Sequence, residues 1–234
     1  MDLSIVMPTR NEAQRLPRTL AAIEALAAGR PWSIEVVVAD DGSRDATPAV
    51  ATPGRGRISV RFLPSSGPRG VGAAVRRGIL AAQGERILVC DADGAVPFEE
   101  VDRFWAALDA GADLVVGSRA IDRRLIEVHQ PAHRILIGRV WGFLAARLVP
   151  TQVRDTQCGF KLLRRRAAML IFATPTVASF AFHIDMLARA QVLDLRVVEL
   201  PVRWRDIAGS TIRLWRDPVC MLVDLLRIAY GATP

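Results

Sequence analysis

Ile87-Leu88-Val89-Cys90-Asp91-Ala92-Asp93-Gly94 reads as a buried parallel strand that ends in two carboxylates and a glycine turn. Carboxylates one residue apart at the carboxyl end of such a strand lie on the edge of an open α/β sheet where these sheets take ligands. Hard divalent cations such as Mg²⁺ and Mn²⁺ prefer oxygen. They are commonly held by one or two carboxylates while a substrate diphosphate completes the coordination. An isolated Asp-x-Asp is equally a solvated turn, and neighbouring segments give this one its weight. Leu3-Ser4-Ile5-Val6-Met7-Pro8-Thr9-Arg10-Asn11-Glu12 is a strand running into a polar turn, and Ile34-Glu35-Val36-Val37-Val38-Ala39-Asp40-Asp41-Gly42-Ser43 is a strand ending in an acidic one. Three strands that each deliver polar groups at their carboxyl ends can build a single pocket.

At 234 residues the chain is expected to be one domain, or one domain with a C-terminal elaboration. A hydrophobic share of 51% with 24% charged residues excludes a disordered chain. The formal net charge is +7, and of the 31 basic residues only Lys161 is a lysine. Arginine's planar fork suits phosphate and carboxylate recognition. A basic excess fits three partners: nucleic acid, an anionic membrane surface or a phosphorylated substrate. Cys90, Cys158 and Cys220 are widely spaced with no C-x-x-C, which points away from a disulfide framework or zinc site and toward a reducing compartment. Met1-Asp2-Leu3 does not look like a leader, and no apolar run approaches the roughly 20 residues of a spanning helix. The expectation is a soluble chain, or one lying on a membrane.

The first half alternates strands near 3–7, 34–39, 58–63, 86–90 and 113–117 with helices near 13–28, 45–51, 70–83 and 98–109, the pattern of a mostly parallel sheet with helices on both faces. Asp45 is placed to cap the second helix and Pro97 to start the fourth. Beyond residue 120 the texture changes. Residues 134–149 form an apolar helix studded with arginines and carrying Trp141. Residues 217–230 form another, with Asp217 capping, Pro218 in the first turn, and Asp224 and Arg227 on its polar side. Basic amphipathic helices with tryptophan suit a membrane interface, and equally a packed core.

Asp40-Asp41-Gly42-Ser43 reads as a turn or as a carboxylate that accepts a base N–H. Gly67-Pro68-Arg69-Gly70-Val71-Gly72 lacks the third glycine of a dinucleotide site and reads as a turn whose Arg69, Arg76 and Arg77 face an anion or solvent. Arg119 closes the fifth strand and, with Arg134 and Arg139, suggests a phosphate site. Cys158 reads as a buried inert thiol and His183 as a packing histidine. Glu199-Leu200-Pro201-Val202-Arg203-Trp204-Arg205 reads as an edge strand, followed by a loop at 206–211 that either closes over a ligand or merely connects.

Together these segments resemble glycosyltransferase family 2 and, within it, the polyprenyl-phosphate glycosyltransferases: dolichyl-phosphate β-glucosyltransferases first, dolichyl-phosphate mannose synthases next. The resemblance covers Pro8–Glu12, Asp40–Ser43, Asp91–Gly94, Gly117-Ser118-Arg119 and the 199–210 stretch; the first three specify the class, while Asp155-Thr156-Gln157-Cys158-Gly159-Phe160-Lys161 points to the lipid-phosphate branch, glucosyl type. The chain departs from the family's Phe-Asp-x-Glu at Phe182-His183-Ile184-Asp185, from its Gly-Ser-Lys at Gly209-Ser210-Thr211, and from its Asn-x-Gly-Lys-Gly at 68–72.

The resemblance implies a GT-A nucleotide-sugar-binding fold over residues 1–212, with 131–149 as a membrane-interface helix and 213–234 as a C-terminal amphipathic helix. It implies an inverting, metal-dependent hexosyltransferase that moves glucose, with mannose the next choice, from UDP-glucose or GDP-mannose to a polyprenyl or dolichyl phosphate. By match to the family, Pro8, Arg10, Glu12 and Asp41 hold the nucleoside, and Ala92 belongs to the same donor-binding set. Asp91 and Asp93 bind Mg²⁺ or Mn²⁺ and the diphosphate. Arg119 and Arg134 grip the acceptor phosphate, Asp155 is counted with the catalytic group, and Arg205 contacts the diphosphate. The implied place of work is the cytoplasmic face of a membrane, peripherally, with a membrane-anchoring partner left open and no nucleic acid. The rivals are a family 2 enzyme with a non-lipid acceptor and a non-catalytic module binding anions or nucleic acid.

Overall fold

The computed structural model describes residues 1–51, 56–128, 130–207 and 217–231. His129, the Gly209-Ser210-Thr211 loop, Arg213 and the expected boundary at 212/213 lie outside these residues. The chain runs β1 (Leu3–Thr9), α1 (Leu16–Ala28), β2 (Ile34–Asp40), α2 (Thr47–Val50), β3 (Ile58–Leu63), α3 (Val71–Ala81), β4 (Arg86–Val89), α4 (Val101–Asp109), β5 (Leu114–Ser118), β6 (Ile126–Val128), α5 (Ala132–Leu148), β7 (Lys161–Arg164), α6 (Arg165–Ile171), α7 (Phe182–Val192), β8 (Val197–Pro201), β9 (Trp204–Arg205) and α8 (Asp217–Ala229). Seven strands form one sheet in the order β3-β2-β1-β4-β7-β5-β8, and β6 pairs with β9 in a separate ribbon.

The expected α/β architecture is present, with β2 buried along its whole length as befits a strand covered on both faces. One face packs Leu16, Ile23 and Phe104 of α1 and α4 against Leu3, Ile5 and Met7. The other packs Val75, Ile79, Ile171 and Phe182 of α3, α6 and α7 against Val6 and Val37. Asp45 does not cap α2 as expected: the cap position falls to Ala46, and Asp45, one residue earlier, accepts the Thr47 N–H at 3.0 Å. Pro97 precedes a 3₁₀ turn, Phe98–Glu100, that leads into α4. α8 packs on α5 and α7 through Leu225, Ala145, Val149 and Ile184.

Several features differ from the sequence expectation. Residues 199–205 do not form one strand: β8 is the edge of the main sheet, parallel to β5, and β9 leaves to meet β6. The polar run ending at Lys161 continues into β7, which lies antiparallel between β4 and β5, with Lys161 opposite both Val89 and Val116. A strand of reversed direction brings its amino end to the edge where its parallel neighbours end. Residues 155–161 therefore meet Asp91 and Arg119 at the ligand edge.

The 67–77 segment also differs. Arg76 donates to the carbonyls of Phe172, Ala173 and Thr174, and Arg77 to those of Pro68 and Asp40, so neither faces an anion. Gly72 donates its N–H to the Ala178 carbonyl at 3.0 Å, and a Cβ on it would stand 2.1 Å from the Val177 oxygen and 2.8 Å from Phe182 Cβ. The glycines thus let α3 dock against the 177–178 backbone. Gly72→Ala should destabilise the fold by about 1–3 kcal/mol, the usual cost of overpacking, read as a lower urea midpoint; an unchanged midpoint would refute this close approach.

Candidate active site

The carboxyl ends of β1, β2, β4 and β5 open into one cleft of about 1340 Å³. Pro8, Arg10, Glu12, Asp41, Asp91, Ala92, Asp93, Arg119 and Arg134 all line it. Asp40 folds back on its own turn, accepting the Gly42 and Ser43 N–H groups, which leaves Asp41 to face the cleft. Asp41 accepts the Gly70 N–H at 2.6 Å, and Arg10 Nη1 lies 3.5 Å from its other oxygen. Glu12 is gripped by Arg15 through Nε at 2.7 Å and Nη2 at 2.6 Å. Burial pushes its carboxyl up, with Arg15 pulling the other way.

Asp91 and Asp93 sit one residue apart at the end of β4. Asp91 is exposed to the cleft, with protein packed around the rest of the residue. Burial and the charge of Asp93 push it up to about 6, against the pull of Lys161 and Arg119. Asp93 is raised chiefly by burial, while the Ala95 N–H, donated at 3.0 Å, opposes the shift. A Cβ on Gly159 would stand 2.1 Å from Asp91 Oδ2, so bare backbone packs against this carboxylate. Two carboxylates held against mutual repulsion suit a hard divalent cation, which would relieve the repulsion on binding. Among the described residues no set of three His, Cys, Asp or Glu side chains gathers to hold a metal.

Across the cleft floor, Arg119 forms a two-pronged pair with Asp155, Nε to Oδ2 at 2.7 Å and Nη2 to Oδ1 at 2.9 Å, and its backbone N–H adds a third bond. Burial disfavours both charges, but each outweighs that cost for the other: Asp155 is held below the usual carboxylate range and Arg119 above the usual guanidinium range. Asp155 is not among the cleft-lining residues. It stands behind Arg119, and Glu199 anchors it by accepting the N–H groups of Arg154 and Asp155 at 3.0 and 2.9 Å. Arg134 reaches to 3.9 Å from Asp206, whereas Arg139 is exposed and away from the cleft. Arg205 is also outside the lining: its backbone N–H bonds Ala95, while its neighbours Trp204 and Asp206 face in.

Sequence reasoning missed several members. Arg15 stands three residues after Glu12, a helical spacing that would have pointed to it. The 175–180 loop and α8 join the wall through long-range packing that no local pattern reveals. Lys161 is fully buried and donates to Thr156 O at 3.2 Å, Cys158 O at 2.5 Å and His183 Nδ1 at 3.1 Å. Burial lowers Lys161 to about 8, lowers His183 well below its usual value and raises the Cys158 thiol to about 11. Cys158 is thus the inert thiol expected, and His183 borders the cleft rather than only packing.

Comparison with known proteins agrees with this geometry. The model of glycosyl transferase family 2 matches residues 4–172. The chain is similar to the dolichyl-phosphate beta-glucosyltransferase of Drosophila melanogaster, at 37% identity over 97% of this chain and 74% of the relative. It is similar to that of Homo sapiens at 35% identity with the same coverage. In fold it resembles the glucosyl-3-phosphoglycerate synthase of Mycobacterium tuberculosis, crystallised with Mn²⁺, UDP and glucosyl-3-phosphoglycerate, with a TM-score of 0.69 at 18% identity over 100% of this chain and 81% of that one. The expected GT-A architecture is that of these neighbours. A match running from the first strand through α6, on a sheet that gathers the matched segments around one cleft, makes the chain a member of glycosyl transferase family 2.

Proposed function

We propose that the chain transfers a hexose, glucose before mannose, from a nucleotide sugar to a polyprenyl phosphate such as dolichyl phosphate, with inversion at the anomeric carbon. One observation carries the reading: the carboxylates of Asp91 and Asp93 and the braced guanidinium of Arg119 line the same cleft. The relatives' names support the donor and acceptor classes.

In this reading Pro8, Arg10, Glu12 and Asp41 hold the nucleoside, and Asp91 and Asp93 face the diphosphate. Asp91 and Asp93 would hold a Mg²⁺ or Mn²⁺ ion, which would supply charge neutralisation for the departing nucleoside diphosphate. Arg119 and Arg134 hold the acceptor phosphate. That phosphate carries roughly −1.5 to −2 charge and is a nucleophile without deprotonation. Its oxygen bonds to the anomeric carbon as the bond to the diphosphate breaks. No general base is required; the Cys158 thiol stays protonated and His183 Nδ1 is taken by Lys161, so neither acts as one. The work left to the chain is to align two anions and offset their repulsion.

The acceptor lies in a membrane, and α5 offers a face for one. Leu136 is 63% exposed and Phe143 71%, and Val219 of the adjoining α8 and Tyr230 just past its end are also exposed. Between Val128 and Arg154 there is no acidic residue, while Arg134, Arg139, Arg147 and Arg154 are basic. Such a surface suits the anionic cytoplasmic leaflet, with the chain lying on it peripherally. Among the described residues no helix is long and apolar enough to cross a membrane.

Incubation with polyprenyl phosphate, Mn²⁺ and a panel of UDP- and GDP-sugars, followed by mass spectrometry of the lipid phase, should show a hexosyl-phosphoryl lipid. Asp93→Ala should lower its formation by roughly a thousandfold without lowering the thermal midpoint; retained transfer would overturn the metal role. Because a proton competes with the cation for Asp91, Mn²⁺ affinity should be flat above about pH 7. It should fall by about tenfold per unit below about pH 6, as titration calorimetry would read. Replacing Leu136 and Phe143 with serine should weaken co-sedimentation with phosphatidylserine vesicles by roughly tenfold or more, with nucleotide-sugar binding unchanged.

A further inference from the structure

The ammonium of Lys161 has three protons, and the structure gives each an acceptor: Thr156 O, Cys158 O and His183 Nδ1. His183 Nδ1 is therefore an acceptor, and the neutral ring carries its proton on Nε2. The histidine is 5% exposed and borders the cleft, and its Nε2 finds no hydrogen-bond partner among the described residues. A donor fixed in one tautomer on a mostly buried ring, with its N–H unpartnered at the cleft wall, is placed to meet a ligand oxygen.

The position limits which oxygen. Lys161 ties the ring to the carbonyl of Cys158, and the next residue, Gly159, abuts the Asp91 carboxylate. Arg119 lines the same cleft. A hexose in transit has to lie between the diphosphate at Asp91 and Asp93 and the phosphate at Arg119. We propose that His183 is a specificity-determining residue whose Nε2–H donates to a hydroxyl oxygen of the transferred hexose. The inference rests on the hexose transfer proposed above. It assigns His183 no proton transfer: the ring is a donor only, oriented by Lys161.

The test is binding rather than turnover. With Mn²⁺ present, His183→Phe should leave UDP affinity unchanged and lower UDP-glucose affinity by roughly tenfold, the size of one neutral hydrogen bond, while His183→Gln, which keeps an acceptor and a donor, should recover most of the loss. Equal effects on UDP and UDP-glucose, or none on either, would overturn the proposal. Should the phenylalanine variant fail to fold, nitrogen-15 NMR of the wild-type histidines decides. His183 should show the Nε2–H tautomer, and its resonance should move with UDP-glucose but not with UDP. The opposite tautomer, or an equal response to both ligands, would refute it. If no lipid product forms yet the sugar-dependent response persists, the acceptor reading fails and this inference stands.

Discussion

The site depends on one strand running against its neighbours. β7 enters the sheet antiparallel between β4 and β5, so Lys161 lies level with Val89 and Val116 at the edge where those strands end. Without that reversal the 155–161 run would emerge at the opposite end of the sheet. The carboxylates of Asp91 and Asp93 would then face a cleft without Gly159 beside them and without Asp155 to brace Arg119. A parallel sheet gathers loops at its carboxyl edge; a single reversed strand adds the loop that precedes it.

The reversal places charge where burial would ordinarily forbid it. Lys161 is tolerated at the centre of the sheet because each of its protons has an acceptor. Asp155 is tolerated because it receives three bonds from Arg119, and Glu199 fixes its backbone in turn. The two arrangements do different things. The first leaves a neutral imidazole at the cleft wall; the second presents a guanidinium of fixed orientation. Asp91 and Asp93 are the less balanced members: burial raises both, the charge of Asp93 adds to the rise at Asp91, and a divalent ion would offset that repulsion.

Much of this was legible in the sequence. The Val- and Ile-rich runs at 3–9, 34–40 and 86–89 give buried strands, and the polar groups that end them mark the cleft. What escaped reading is non-local. Lys161-Leu162-Leu163-Arg164 is too short to show a period, opens with a lysine and leads directly into a helix, so nothing in it announces a central strand. Arg76 and Arg77 display charge but not destination, and their partners are carbonyls far along the chain. Asp155 shares a motif with cleft residues yet stands one layer behind them. Only the fold tells a residue that meets a ligand from one that holds it in place.

The burial of Lys161 also governs how the molecule meets chemical reagents. It is the only lysine in the chain, and none of its surface is exposed. Amine-directed labels, crosslinkers and acylating agents therefore find no side chain to modify while the sheet is intact. The same reagents gain a single, defined target once β7 leaves its place. Reactivity at one amine thus becomes a direct gauge of whether the centre of the sheet is closed.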